Sequence, residues 1–312
     1  MENKVASKTS NKTSNKTSNR EKKSLTGAVL AAAVLGAFTE NALAAQPPSP
    51  GVELTEYSYD ERGNLILKSV SWNSGEPEII SYEYDEKNNL IRMLDKQTDG
   101  TSTVQTSSYS YTDSGYSAVS EVYSEKDGKK SDLQSMRTEV LFHDGGYTET
   151  IRTDAEDFLT VTEVDDTLGK LSSSMQKLDG TEVTREEYSY NEAGKLITKK
   201  TTAGKDQDTG TEESYEYDEN NYLIKKSGWL VKGNMRLPMD YSDYQNDADG
   251  NCLERRDYSG SGELKGTESF AYNAEGKVVK DTLADGSGRV FSETLSEYSD
   301  EGLLIRETRT IS

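Results

Sequence analysis

A tyrosine recurs along this chain in a fixed frame. The stretch "YEYDENNYLIKK" (215–226) has close relatives at "YSYDERGNLILK" (57–68), "YEYDEKNNLIRM" (82–93) and "YSYNEAGKLITK" (188–199). Aligned on the last tyrosine, the clearest copies are anchored at Tyr59, Tyr84, Tyr190, Tyr217, Tyr272 and Tyr298. Four residues later stand Gly63, Asn88, Gly194, Asn221, Gly276 and Gly302, and six residues later Leu65, Leu90, Leu196, Leu223, Val278 and Leu304. Gly and Asn are the residues that enter positive φ at least cost. A type I turn closed by one such left-handed residue makes a three-residue hairpin loop. The spacing therefore predicts a hairpin in which Glu61-Arg62-Gly63 forms the loop and Tyr59 faces Leu65 across the strands.

Weaker copies fill the intervals. "YSYTDSGYS" (109–117) keeps the tyrosine doublet and Gly115, and "VLFHDGGYT" (140–148) puts Phe142 at the anchor. "TEVDDTLGKL" (162–171) reads as one residue longer in the loop, and "YQNDADGNCL" (244–253), anchored on Tyr244, as two longer. About ten hairpins result, at a period of about 26 residues, separated by turn-rich links such as "NSGEP" and "DGSG". Period-2 alternation and β-branched content indicate strands, and no helical period is sustained after residue 50. The expected fold is all-β: tandem antiparallel β-hairpin repeats forming an elongated, twisted or coiled open sheet, with edge strands at both ends open to pairing with another chain.

The motif YxYDExGNLI resembles the YD repeat of bacterial Rhs proteins and the related animal teneurins, over about residues 52 to 310. The resemblance implies a spiral of β-hairpins, here in a short, exported member without a toxin domain. Large members of that family close into hollow shells around a toxic C-terminal domain, and some are implicated in surface adhesion or carbohydrate binding. An alternative role follows from it: a shell fragment or accessory partner of an Rhs-type toxin or secretion system.

The N-terminal region reads differently. "SKTSNKTSNKTSNR" (7–20) is polar and of low complexity, and Lys22 and Lys23 precede the apolar run "SLTGAVLAAAVLGAF" (24–38). That run is short for a bilayer span, and "ALA" (42–44) supplies the small-x-small pattern of a cleavage site. Residues 1–44 are thus expected to be a basic leader with a signal peptide, 45–51 a linker, and 52–312 the repeat domain, with no membrane span after cleavage. Export places the domain in the periplasm, on the cell surface or outside the cell. Loss of residues 1–44 removes seven Lys or Arg and three Asp or Glu, and takes the net charge from −20 to −24. A surface this acidic repels phosphate, which argues against nucleic acid as a partner. Cys252 stands alone, so no internal disulfide forms.

Concentrated chemistry is hard to find. His143, the single histidine, falls at a turn, and Cys252 falls on the leucine position of its hairpin, where it reads as a small apolar residue. "NDADGN" (246–251) has the alternating acids of a calcium loop, but Arg256 stands at the twelfth position, and the segment reads as a widened turn. No catalytic residue, metal or cofactor is expected. The first tyrosine of each doublet, Tyr57, Tyr82, Tyr109, Tyr188 and Tyr215, lies on the same face as its anchor two residues later. These five are the candidate ligand-binding row, suited to stacking on a linear glycan. The expectation is a non-enzymatic exported scaffold whose partner is a polysaccharide or an extracellular protein.

Overall fold

A computed structural model describes residues 50–312 apart from 144–145, 154–157, 166–169, 179 and 204–207. The leader and signal peptide expected over 1–44 lie outside these residues. Within them the chain forms twenty strands, β1 to β20, each antiparallel to the next in sequence. The tandem-hairpin, all-β architecture expected from the repeat is what forms.

The turns follow from the sequence as written. Between β1 (Gly51–Tyr59) and β2 (Leu65–Trp72), the Asp60 N–H donates to the Asn64 carbonyl and the Gly63 N–H to the Asp60 carbonyl. Gly63 has φ +80° and Tyr59 pairs with Leu65. Asn88 and Asn221, at +65° and +62°, do the same work with a side chain in place. The aspartate that opens the turn is part of it, since Asp60 Oδ1 accepts the N–H groups of Arg62 and Asn64. "NDADGN" builds the same turn, not a wider one: Asp247 N–H donates to the Asn251 carbonyl and Gly250 has φ +88°. The anchor there is Asn246, which pairs with Cys252, rather than Tyr244. The copy at 109–117 departs the other way. Thr112 pairs with Gly115 across a two-residue turn, and Gly115 lies in a strand. His143 ends its strand opposite Gly146.

Beside each such turn the register slips by one. Ser58 pairs with Leu67 and Tyr59 with Leu65, leaving Ile66 as a bulge. Pairing of β2 with β3 (Glu78–Tyr84) begins only at Leu67, so the Leu65 carbonyl lies beyond that ladder. The Tyr84 hydroxyl of the next hairpin donates to it at 3.0 Å. The same bond recurs from Tyr217 to the Leu196 carbonyl (2.7 Å), Tyr272 to Cys252 (2.7 Å) and Tyr298 to Val278 (2.8 Å). At the variant hairpin the Asn246 amide reaches the Leu223 carbonyl at 2.8 Å, replacing the hydroxyl.

The edge strands expected to be free at both ends pair with each other. β20 (Leu304–Ile311) pairs with β19 (Val290–Tyr298) on one side and with β1 on the other, from Gly51↔Ile311 to Glu56↔Arg306. Tyr59 donates to the Leu304 carbonyl at 2.8 Å, the repeat's own bond made between the first hairpin and the last. The ladder is continuous through all twenty strands, and neither terminal strand offers a free edge. Twist accumulated over many strands brings the ends together, and backbone groups otherwise left unpaired reward the junction.

The wall is one sheet thick, and its two faces differ. Tyr57, Tyr59, Lys68 and Glu307 share one face, on which Thr55, Ala118, Thr138, Val140 and Ser292 are buried. This is the tyrosine-bearing face. The opposite face carries ion pairs such as Glu83–Arg92, Lys280–Glu293 and Arg306 between Glu56 and Glu297.

Candidate functional site

All five tyrosines of the expected row lie on one face, and each is half-buried. They are not equivalent. Tyr82 stands opposite Met93 and Tyr109 opposite Ala118, and Tyr109 donates to the Leu90 carbonyl at 3.2 Å. Tyr57, Tyr188 and Tyr215 stand opposite Lys68, Lys199 and Lys226.

Two neighbouring hairpins repeat one arrangement. On β11 (Thr181–Tyr190) and β12 (Leu196–Ala203), Tyr188 donates its hydroxyl to Glu186 at 2.7 Å, and Lys199 Nζ lies 2.7 Å from the same carboxylate. On β13 (Thr209–Tyr217) and β14 (Leu223–Lys232), Tyr215 donates to Glu213 at 2.6 Å and Lys226 lies 2.7 Å from it. Each ammonium is 5.7 Å from the centre of its tyrosine ring. Burial alone would raise Glu186 and Glu213, but the hydrogen bonds from lysine and tyrosine outweigh it and hold both carboxyls below their usual range. The same burial, and the hydrogen bond to a carboxylate, push both phenols well up, so they remain donors.

A third member follows on β15 (Met235–Asn246) and β16 (Cys252–Tyr258). With Asn246 as the anchor, Tyr244 takes the place of Tyr215 and stands opposite Arg255. Arg255 lies 2.9 Å from Glu268 on β17 (Leu264–Tyr272) and 3.1 Å from Asp257, whose other oxygen accepts the Ser242 hydroxyl. Tyr244 was hidden in the sequence by its assignment as an anchor. The run Asp247-Ala248-Asp249-Gly250-Asn251-Cys252, spaced like Asp60 to Leu65, is the signal that places it correctly. Three successive hairpins thus present a tyrosine opposite a base, and the base is held by acid.

This row leads into a cavity of about 640 Å³ over β13 to β18 (Val278–Asp285). The cavity owes its opening to a bulge: Ser227 pairs with Tyr241 but Trp229 pairs with Pro238, so Met239 and Asp240 stand against Gly228 alone. Pro238 has no N–H for the ladder, and a Cβ on Gly228 would lie 3.1 Å from the Asp240 carbonyl. Glu213, Lys226, Trp229, Arg255, Asp257 and Phe291 line it. On the opposite face of the sheet, where Trp229 stands across from Glu212, the Arg236 guanidinium lies over the indole ring, 4.0 Å from its centre, and the indole N–H is shielded from solvent without a protein acceptor. The site combines aromatic faces with a dense set of donors and acceptors. Among the described residues no three His, Cys, Asp or Glu converge to hold a metal, and no helix is long and apolar enough to cross a membrane.

No family model matches the chain, and no curated protein matches it. Among solved structures it is similar to the TcdB2–TccC3–Cdc42 complex, at 14% identity and a TM-score of 0.30, over 80% of this chain and 17% of that one. It is also similar to a porin-like protein from Bacteroides uniformis, at 10% identity and a TM-score of 0.36, over 86% of this chain and 98% of that one. The chain spans about a sixth of the first and nearly all of the second. Scores this low assign neither fold nor function to it.

Proposed function

We propose that this chain is an exported, non-enzymatic hairpin-repeat protein that binds a glycan on its tyrosine-bearing face. The observation that carries the reading is the row of Tyr188, Tyr215 and Tyr244, each opposite a base, leading into the cavity lined by Glu213, Lys226, Arg255 and Asp257. Sugars offer C–H faces that pack on aromatic rings and hydroxyls that both donate and accept. The carboxylates and bases of this face are held in geometry yet remain about one-third exposed, with Lys226 at 37% and Glu213 at 31%. Nucleic acid is disfavoured by the net charge of −20. A strand-spanning membrane protein carries an apolar band on its lipid face. Here one face holds Glu213, Lys226 and Arg255 and the other holds Arg92, Glu297 and Arg306.

The test uses purified residues 45–312 in affinity electrophoresis through gels that contain neutral or cell-wall polysaccharides, with tryptophan emission as a second readout. The expected result is retarded migration with at least one polysaccharide, weakened by Tyr215→Ala, together with a change in emission. No release of reducing ends is expected from the polysaccharide that retards. Unchanged migration and emission with every polysaccharide would remove the reading.

A further inference from the structure

The three tyrosine–base pairs have a spacing as well as a chemistry. They occupy one register position in successive hairpins: Tyr188↔Lys199, Tyr215↔Lys226 and Tyr244↔Arg255. Equivalent strands of neighbouring hairpins are two strand spacings apart, roughly 9–10 Å. The run ends where the next hairpin places Phe270 opposite Asp281. Outside the run the pair recurs singly at Tyr57↔Lys68, and it is missing at Tyr82 and Tyr109, whose partners are Met93 and Ala118.

Resting on the glycan reading above, we infer that these three rungs bind an extended, neutral, β-1,4-linked polysaccharide across the strands, one disaccharide per hairpin. In such a chain successive sugars are flipped, so the same ring face returns only at every second sugar. That repeat matches a rung spacing of roughly 10 Å. A helical α-linked glucan does not return the same face at that interval. The charge of the site selects against a polyanion. Lys199, Lys226 and Arg255 are each already paired with a carboxylate, and the chain as a whole carries −20. What remains for a ligand is the ring faces and the residual hydrogen-bonding capacity of the Glu186, Glu213 and Asp257 carboxylates, which suits sugar hydroxyls.

The experiment is calorimetric titration of residues 45–312 with glucose and N-acetylglucosamine oligomers, β-1,4-linked and two to eight sugars long. Affinity is expected to rise roughly three- to tenfold with each added disaccharide and to level off at six sugars. In Tyr188→Ala and, separately, Lys199→Met, the plateau is expected to move from six sugars to four with disaccharide affinity unchanged. Lys199→Met keeps the ring and its packing, and thermal melts confirm that both variants fold. The inference is overturned by affinity that ignores length, by tighter binding of an α-linked or anionic polymer, or by an unmoved plateau in both variants. If a polysaccharide gel still retards the protein in those cases, the glycan reading stands and only the disaccharide register falls. Absence of any glycan binding removes both.

Discussion

Removing one hydroxyl tests whether the first and last hairpins are joined as the others are. Tyr59→Phe deletes the bond to the Leu304 carbonyl at 2.8 Å, and Tyr217→Phe deletes its counterpart to Leu196 at 2.7 Å. Both acceptors are part-buried and lie beyond the ends of their ladders, so each loss leaves a carbonyl without its partner. A typical hydrogen bond contributes about 0.5–1.5 kcal/mol net. For a domain of this size that corresponds to a drop of roughly 1–6 °C in melting temperature. Tyr222→Phe serves as control, since its hydroxyl meets the Ala248 carbonyl only at 3.5 Å in an exposed turn and should cost less than about 0.5 kcal/mol. Urea unfolding and calorimetry of the three variants of residues 45–312 give the comparison. The closed ladder requires Tyr59→Phe and Tyr217→Phe to cost the same within error, both more than the control. If Tyr59→Phe matches the control while Tyr217→Phe does not, β1 and β20 are not paired in solution and the argument fails.

Three further outcomes follow. Gly63→Ala meets no atom within 4 Å, so its cost is that of positive φ alone, about 1–2 kcal/mol in urea melts, whereas Asn221→Gly should change stability little. Burial of Asp95, and Glu78 hydrogen-bonded to it, raise its carboxyl to about 6. A raised carboxyl favours the fold fully below its unfolded value near 4, and that contribution is lost as pH rises through 6. Asp95→Asn should therefore match the native protein near pH 4 and melt higher than it at pH 7, and equal melting temperatures at pH 7 would refute the assignment. Deleting residues 304–312 uncovers β1 and β19 together, and light scattering should then show concentration-dependent association that the full repeat domain lacks.

The turns were legible because their signal is local. Positive φ needs Gly or Asn at one position, and every strong copy of the motif supplies it. What lies across the sheet left no such mark. Tyr244 was the nearest tyrosine to its turn and took the anchor's place in the alignment, although an asparagine amide makes the anchor's bond as well as a phenol does. Lys199 and Lys226 are eleven residues from the tyrosines they face, and only the register shows them as partners. The bulge at Gly228 depends on Pro238 in the neighbouring strand. The junction of β1 with β20 joins residues about 250 apart and rests on accumulated twist, which no short motif encodes.

The bond from Tyr59 to Leu304 has one more consequence. Because the first and last strands of the repeat domain pair by the rule that joins every other hairpin to its neighbour, no hairpin is first in a physical sense. Gly51 already lies beside Ile311. A short linker there and a cut in any exposed turn, such as that between Tyr272 and Val278, should give a reordered polypeptide with every strand still between the same two neighbours.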